Sequence, residues 1–171
     1  MWPAAARRLC LEEIRGLTRI DAVARVASPD VVRSPRSGRM AAFARIEVVE
    51  APPGRERAPI SLGAIVLGDV VRLELEADEA PVLLDLLPRR AEIRLVVEPP
   101  ALPIERVIPE VVPLLARAKR GGALCHRERL FVRGERLRLV AVVERDHRSE
   151  VAERLVVRDD IAPVRLDEVA S

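Results

Sequence analysis

Along much of this chain apolar and polar residues alternate with a period of two. Ile20, Ala22, Ala24 and Val26 interleave with Asp21, Val23 and Arg25 after Arg19, which predicts a strand with one buried face. Ser28, Pro29 and Asp30 end it. A second alternation, Ala42, Ala44, Ile46 and Val48 against Phe43, Arg45, Glu47 and Val49, predicts another strand, and "APPGRERAP" at 51–59 reads as a loop. Val71, Leu73 and Leu75 oppose Arg72, Glu74 and Glu76 after Gly68-Asp69, with residues 82–86 as the expected hairpin partner. Ile93, Leu95 and Val97 mark a further strand, closed by Pro99 and Pro100. Residues 124–132 and 137–144 flank "RGER" as a predicted hairpin turning at Gly134. Short strands are expected near 151–158 and 164–167.

Helical periodicity is confined to two places. In "AAARRLCLEEIRG" at 4–16, Leu9, Ile14 and Ala5 or Ala6 fall near one face and Gly16 is a stop. The segment "IPEVVPLLARAKRGG" at 108–122 is the strongest helix, with proline available to the first turn, basic residues near the end and Gly121 as a stop. Many short strands with so little helix predict a mainly β fold, an antiparallel open barrel or two-sheet sandwich with one or two short helices. The expected organisation is an N-terminal helical segment, 1–17, followed by a single β-rich domain, 18–171. The βαβ rhythm of nucleotide-binding sheets is missing. The strands at 20–26 and 137–144 resemble each other, a weak sign of two related halves.

The 171 residues suit one domain, and 49% hydrophobic with 33% charged residues is a globular composition. The formal charge of +2 comes from 29 basic and 27 acidic residues, and Lys119 is the only lysine. With asparagine, glutamine and tyrosine also missing, the arginine abundance fits a GC-rich genome and argues only weakly for phosphate binding. Charge is nevertheless uneven: residues 1–40 hold eight arginines against Glu12, Glu13, Asp21 and Asp30, which makes the N-terminal part the basic end. Apolar runs such as "GAIVLG" are far shorter than the roughly 20 residues of a membrane span, so no membrane insertion is expected. Two cysteines without a secretory leader point to a cytoplasmic, bacterial-type protein.

Candidate chemistry is sparse. Cys125 and His126 are neighbours on a predicted strand and therefore face opposite ways, which separates them as a catalytic or metal pair. His147 sits in a turn-like "RDHRS", and Cys10 completes no zinc spacing with the other three. The acidic pairs Asp78-Glu79 and Asp159-Asp160 fall in turns, where short acids bond the local backbone. No phosphate-loop, dinucleotide or nucleophile-elbow motif occurs. No metal or other cofactor is expected, and no catalytic residue is assigned. Base stacking would have to rely on Trp2, Phe43 and Phe131, of which the latter two lie in strands and suit core packing better.

The turn "RSPRSGR" stands apart. Pro35 fixes φ, Gly38 permits a left-handed residue, and Ser34 and Ser37 can bond their own backbone, so only Arg33, Arg36 and Arg39 exceed what a turn needs. These residues form the candidate site for an anion or an acidic partner, held by backbone N–H groups and guanidinium forks.

The same turn begins a family resemblance. "SPRSGRMAAFARIEVVE" at 34–50, "VLGDVV" at 66–71 and "LCHRERLFVRGERLRLVAVVE" at 124–144 together resemble the beside-a-membrane, or GIDE-type, domain over about residues 18–145. In that family a Ser-Pro-x-Ser-Gly turn precedes an apolar strand, and a later Arg-Glu segment precedes a Gly-containing hairpin. The matching positions are Ser34, Pro35, Ser37, Gly38, Arg127, Glu128, Gly134 and Glu135. Phe43 supplies the family's aromatic residue, while alanine replaces a common cysteine. Eukaryotic members are membrane-anchored ubiquitin ligases in which a separate RING carries the activity. Two cysteines cannot build a RING, so the resemblance implies no ligase activity here. It implies a non-catalytic interaction module that binds a protein partner. The alternatives are a weak polyanion or nucleic-acid binder using the arginine-rich N-terminal part, and an enzyme with a site assembled from scattered residues. Self-association through an uncovered sheet edge is also open.

Overall fold

The computed structural model describes residues 8–54, 58–78, 80–119, 121–146, 148 and 154–170. The described residues form strands β1 (Thr18–Val26), β2 (Val32–Arg33), β3 (Met40–Ala41), β4 (Phe43–Ala51), β5 (Ile60–Leu67), β6 (Val71–Leu75), β7 (Val82–Leu86), β8 (Ala91–Arg94), β9 (Leu102–Pro103), β10 (Ala123–Phe131), β11 (Arg136–Arg145), β12 (Arg154–Val157) and β13 (Val164–Glu168). The protein is mainly β. None of its described helices is long and apolar enough to cross a membrane.

A five-stranded barrel is the centre of the molecule. β1, β6, β7, β12 and β11 are neighbours in that order, and the ring closes because β11 also pairs with β1 from Thr18↔Val143 to Arg25↔Arg136. The two similar segments noted in the sequence are thus each other's antiparallel partners. Along its other edge β11 is shared: residues 143–145 pair with β12, and residues 137–140 pair with β13, beyond which lies β8. Most pairings are antiparallel, but β12 runs parallel to β7 and β13 parallel to β8. The period-two pattern decides what fills the barrel. Ile20, Ala22, Ala24 and Val26 of β1, Val71, Leu73 and Leu75 of β6 and Leu137, Leu139, Ala141 and Val143 of β11 are all buried in one cluster.

A second, fully antiparallel sheet has the order β5-β4-β10-β9. Its end is anchored in the barrel core by Phe43 and Phe131, which are direct cross-strand partners and stack with centroids 4.4 Å apart and planes 9° from parallel. Arg129 strengthens that junction. Its guanidinium pairs with Glu168 of β13 at 2.7 Å and with Glu135, and lies 4.6 Å from the Phe131 ring centre. Unlike the barrel strands, β4 is covered on both faces, since Phe43, Ala44, Ile46, Glu47, Val48, Val49 and Glu50 are all buried.

Four expectations are revised. The segments at 124–132 and 137–144 do form strands, but not a hairpin: β10 pairs with β4 and β9, whereas β11 joins β1. The corner between them docks on the end of β1, with Gly134 N–H donating to the Val26 carbonyl and Val26 N–H to the Glu135 carbonyl, both at 2.8 Å. That contact leads β11 away from β10. The helix expected over 108–122 shrinks to a 3-10 turn, Pro109–Val111, and one α-helical turn, Val112–Leu115. Neither start has a side-chain cap, and the chain beyond is drawn instead to Glu50, whose buried carboxylate accepts the N–H groups of Lys119 (3.3 Å) and Gly122 (3.1 Å). Of the helix expected over 4–16, the described part holds only the 3-10 turn Leu11–Glu13 and a parallel bridge from Leu9 to Ala77. The strand expected through Val97 stops at Arg94, and Val97 is exposed.

Candidate functional site

The Ser34–Gly38 turn lies between β2 and β3, which pair as Val32↔Ala41 and Arg33↔Met40. Ser34 N–H donates to the Arg39 carbonyl at 2.7 Å, and Gly38 N–H to the Ser34 carbonyl at 3.0 Å. Arg36 and Ser37 N–H groups donate to Ser34 Oγ at 3.2 and 2.9 Å, and Arg39 N–H reaches Ser37 Oγ at 3.4 Å. Pro35 has no N–H to place, and Gly38 takes the positive φ, 70°, that the turn requires. The backbone donors are therefore used within the turn itself.

A carboxylate is already bound there, and it belongs to the chain. The Ser34 hydroxyl, 2% exposed with its residue, donates between the two oxygens of Glu128 at 2.7 and 2.8 Å, and Ser37 Oγ stands 3.4 Å from the same group. Ser34 Oγ thus links two backbone donors to an acidic acceptor across 94 residues of sequence. The three arginines part company. Arg33 donates back to the Gly38 carbonyl at 3.3 Å, Arg36 faces the cavity described next, and Arg39 is exposed.

Beside this turn is a cavity of about 620 Å³. Pairing places its floor: Ile46 stands opposite Glu128, and Val48 opposite His126, on the face of β4 and β10 directed away from the Phe43–Phe131 stack. The turn supplies one wall through Arg36 and Ser37. Residues 102–106, Ile108 and Val111 supply the other, and here the loss of regular helix matters, because a short irregular cover leaves the middle of the sheet open. The apolar part continues into a small second core, in which Ile46, Val48, Val111 and Leu114 are buried.

Polar groups line the rest of this space. His126 Nε2 is buried and has no hydrogen-bond partner among the described residues. Burial first, and then the positive charge of Arg36, push the imidazole below its ordinary value, against the opposing pull of Glu128 and Glu105. The ring is accordingly neutral near pH 7. Arg36 and Arg106 are exposed and make no ion pair among the described residues.

No family model, curated protein or solved structure matches the chain.

Other candidates from the sequence fall elsewhere. Cys125 is buried on the opposite face of β10 from His126, as strand alternation requires. Cys10 is half-buried, and both cysteines are free. Trp2, His147 and Glu79 lie outside the described residues. Asp159 pairs with Arg90 at 3.2 Å and Asp160 with Arg158 at 2.8 Å. Among the described residues no group of three or more histidine, cysteine or acidic side chains gathers as metal ligands do. Sequence reading did not single out Glu105 or Arg106, which lie in an irregular stretch with no period to assign them a face. His126 and Glu128 had a signal, their shared parity on a strand, but nothing local showed what would cover that face.

Proposed function

We propose that the chain is a non-catalytic binding module that engages a protein partner through the cavity beside the Ser34–Gly38 turn. The observation that carries this reading is the cavity itself: about 620 Å³, within the roughly 300–1,000 Å³ of ligand clefts, with an aliphatic floor and a few polar groups at its walls. The disposition of the serines supports a binding role over a nucleophilic one, since both hydroxyls are directed at Glu128 and not at His126. The likeness to the beside-a-membrane domain belongs to the same proposal. It is supported by the hydrogen bond that joins its two separated motifs, Ser34 from one and Glu128 from the other. Free thiols at Cys10 and Cys125 suit a reducing compartment, and we place the module in the cytoplasm.

The test is a tagged pull-down from native cytosol at low salt, with and without nuclease, comparing the parent chain with Ser37→Trp. Ser37 is exposed at the cavity wall, so the indole obstructs the opening without entering a core. A stoichiometric protein that resists nuclease and is lost from the variant is the expected result. Retention that disappears with nuclease or modest salt for both proteins points instead to polyanion binding through arginine.

A further inference from the structure

The cavity combines three features that together describe an occupant. Its floor is aliphatic, formed by Ile46 and Val48 with Val111 alongside. Its walls offer donors that the described protein leaves unused: the guanidiniums of Arg36 and Arg106, and His126 with a buried Nε2 that has no partner. Two acids line the same space, so its donors and not a net positive charge are what it offers a ligand. Glu128 is held by the Ser34 and Ser37 hydroxyls, and Glu105 is exposed at the edge. A buried nitrogen without a partner is unfavourable, and a ligand oxygen placed against it removes that cost. A planar group with two acceptor oxygens also matches the guanidinium fork.

We propose that this cavity is a binding site for an aliphatic carboxylate, whose acid group lies against Arg36, Arg106 and His126 Nε2 while its apolar body covers Ile46 and Val48. The neutral imidazole donates through the tautomer that carries hydrogen on Nε2. Two sources present the same chemistry: a free medium-chain acid, or the C-terminal carboxylate of a peptide ending in aliphatic residues. The inference rests on the reading of this face as the binding face, and adds the chemical class of what enters it.

The site is tested on the full chain by following amide and imidazole NMR signals during titration. The probes are octanoate, octanamide, acetyl-Ala-Val-Leu with a free carboxylate, and the same peptide as its amide. At least one acid is expected to shift His126, Ile46 and Val48 signals and to bind about tenfold or more tightly than its amide, because only the acid makes charge-assisted bonds. Octanoate alone binding identifies a free acid, and the peptide alone identifies a chain terminus. The preference for acid over amide should vanish in the double variant Arg36→Ala, Arg106→Ala, whose substituted side chains are exposed. Equal binding of acid and amide overturns the carboxylate assignment and leaves the binding face intact. Shifts away from His126, or none with any probe, overturn the site, whatever partner the pull-down retains.

Discussion

The barrel and the second sheet are built from similar aliphatic strands, yet they bury very different things. Inside the barrel the fully enclosed side chains are Ala, Val, Leu, Ile and the two phenylalanines. Charge stays outside in short ladders, such as Asp85 between Arg72 (2.8 Å) and Arg154 (2.7 Å), or the fork of Arg138 on Asp21. All three buried polar residues of the described chain, Ser34, Glu47 and Glu50, lie in the second sheet or in the turn covering it. Strand closure explains the contrast. A closed ladder satisfies its own backbone, so the interior can be wholly apolar. The open sheet is covered here mostly by chain that lacks regular structure, and N–H groups of that chain find side-chain acceptors. Ser34 serves the turn at 34–39, and Glu50 accepts from the N–H groups of Lys119 and Gly122.

The contrast can be broken most severely at the aromatic stack. Phe131→Ala is expected to cost about 3–5 kcal/mol in urea unfolding, since it empties a closed core and unseats the second sheet. Ile46→Ala, facing the half-open cavity, should fall near the lower end of the ~2–5 kcal/mol range for such truncations. Equal losses at the two sites would deny that the barrel is the better-packed region.

Next in size are the polar supports of the second sheet. Ser34→Ala leaves two backbone donors and a carboxylate without their shared partner, for an expected loss of about 1–3 kcal/mol by the same measurement. Gly122→Ala should cost a similar ~1–3 kcal/mol, because the added methyl would stand 2.3 Å from the Ala51 carbonyl oxygen. Hydrogen exchange in either variant should rise at 34–39 or 119–122 before it rises in the barrel.

Smaller effects come from titration. Arg138 holds the Asp21 carboxyl below its ordinary value, so the pair's contribution is complete above about pH 4 and is lost as pH falls towards the lower folded value. The pair is largely solvated, and Asp21→Asn should therefore change stability by no more than about 1 kcal/mol. The mildest test is the NMR titration of His126. Its midpoint should lie below the ordinary histidine value, and Arg36→Ser should raise it, since burial and Arg36 both favour the neutral ring. The folded chain then resists protonation more than the unfolded chain, so His126 costs stability as pH falls through the histidine range.

Local pattern and distant contact divided the work of specifying this molecule. The period of two by itself determined which residues of β1 and β6 face inward, because alternation along a strand is a property of the backbone. Turn chemistry likewise placed the bend at Ser34–Gly38, and the β6–β7 hairpin followed from adjacency. Tertiary structure decided that β10 and β11 part at residues 132–135, because the corner, closed by Glu135 N–H on the Val132 carbonyl, also bonds both backbone groups of Val26 and the two strands take other partners. It also decided that the strongest helical stretch would yield to Glu50, and that Ser34 would hold a carboxylate 94 positions away. The cavity belongs wholly to this second category. Alternation can tell that His126 and Glu128 share a face, but the open space above them exists only because a short, irregular cover fails to fill it.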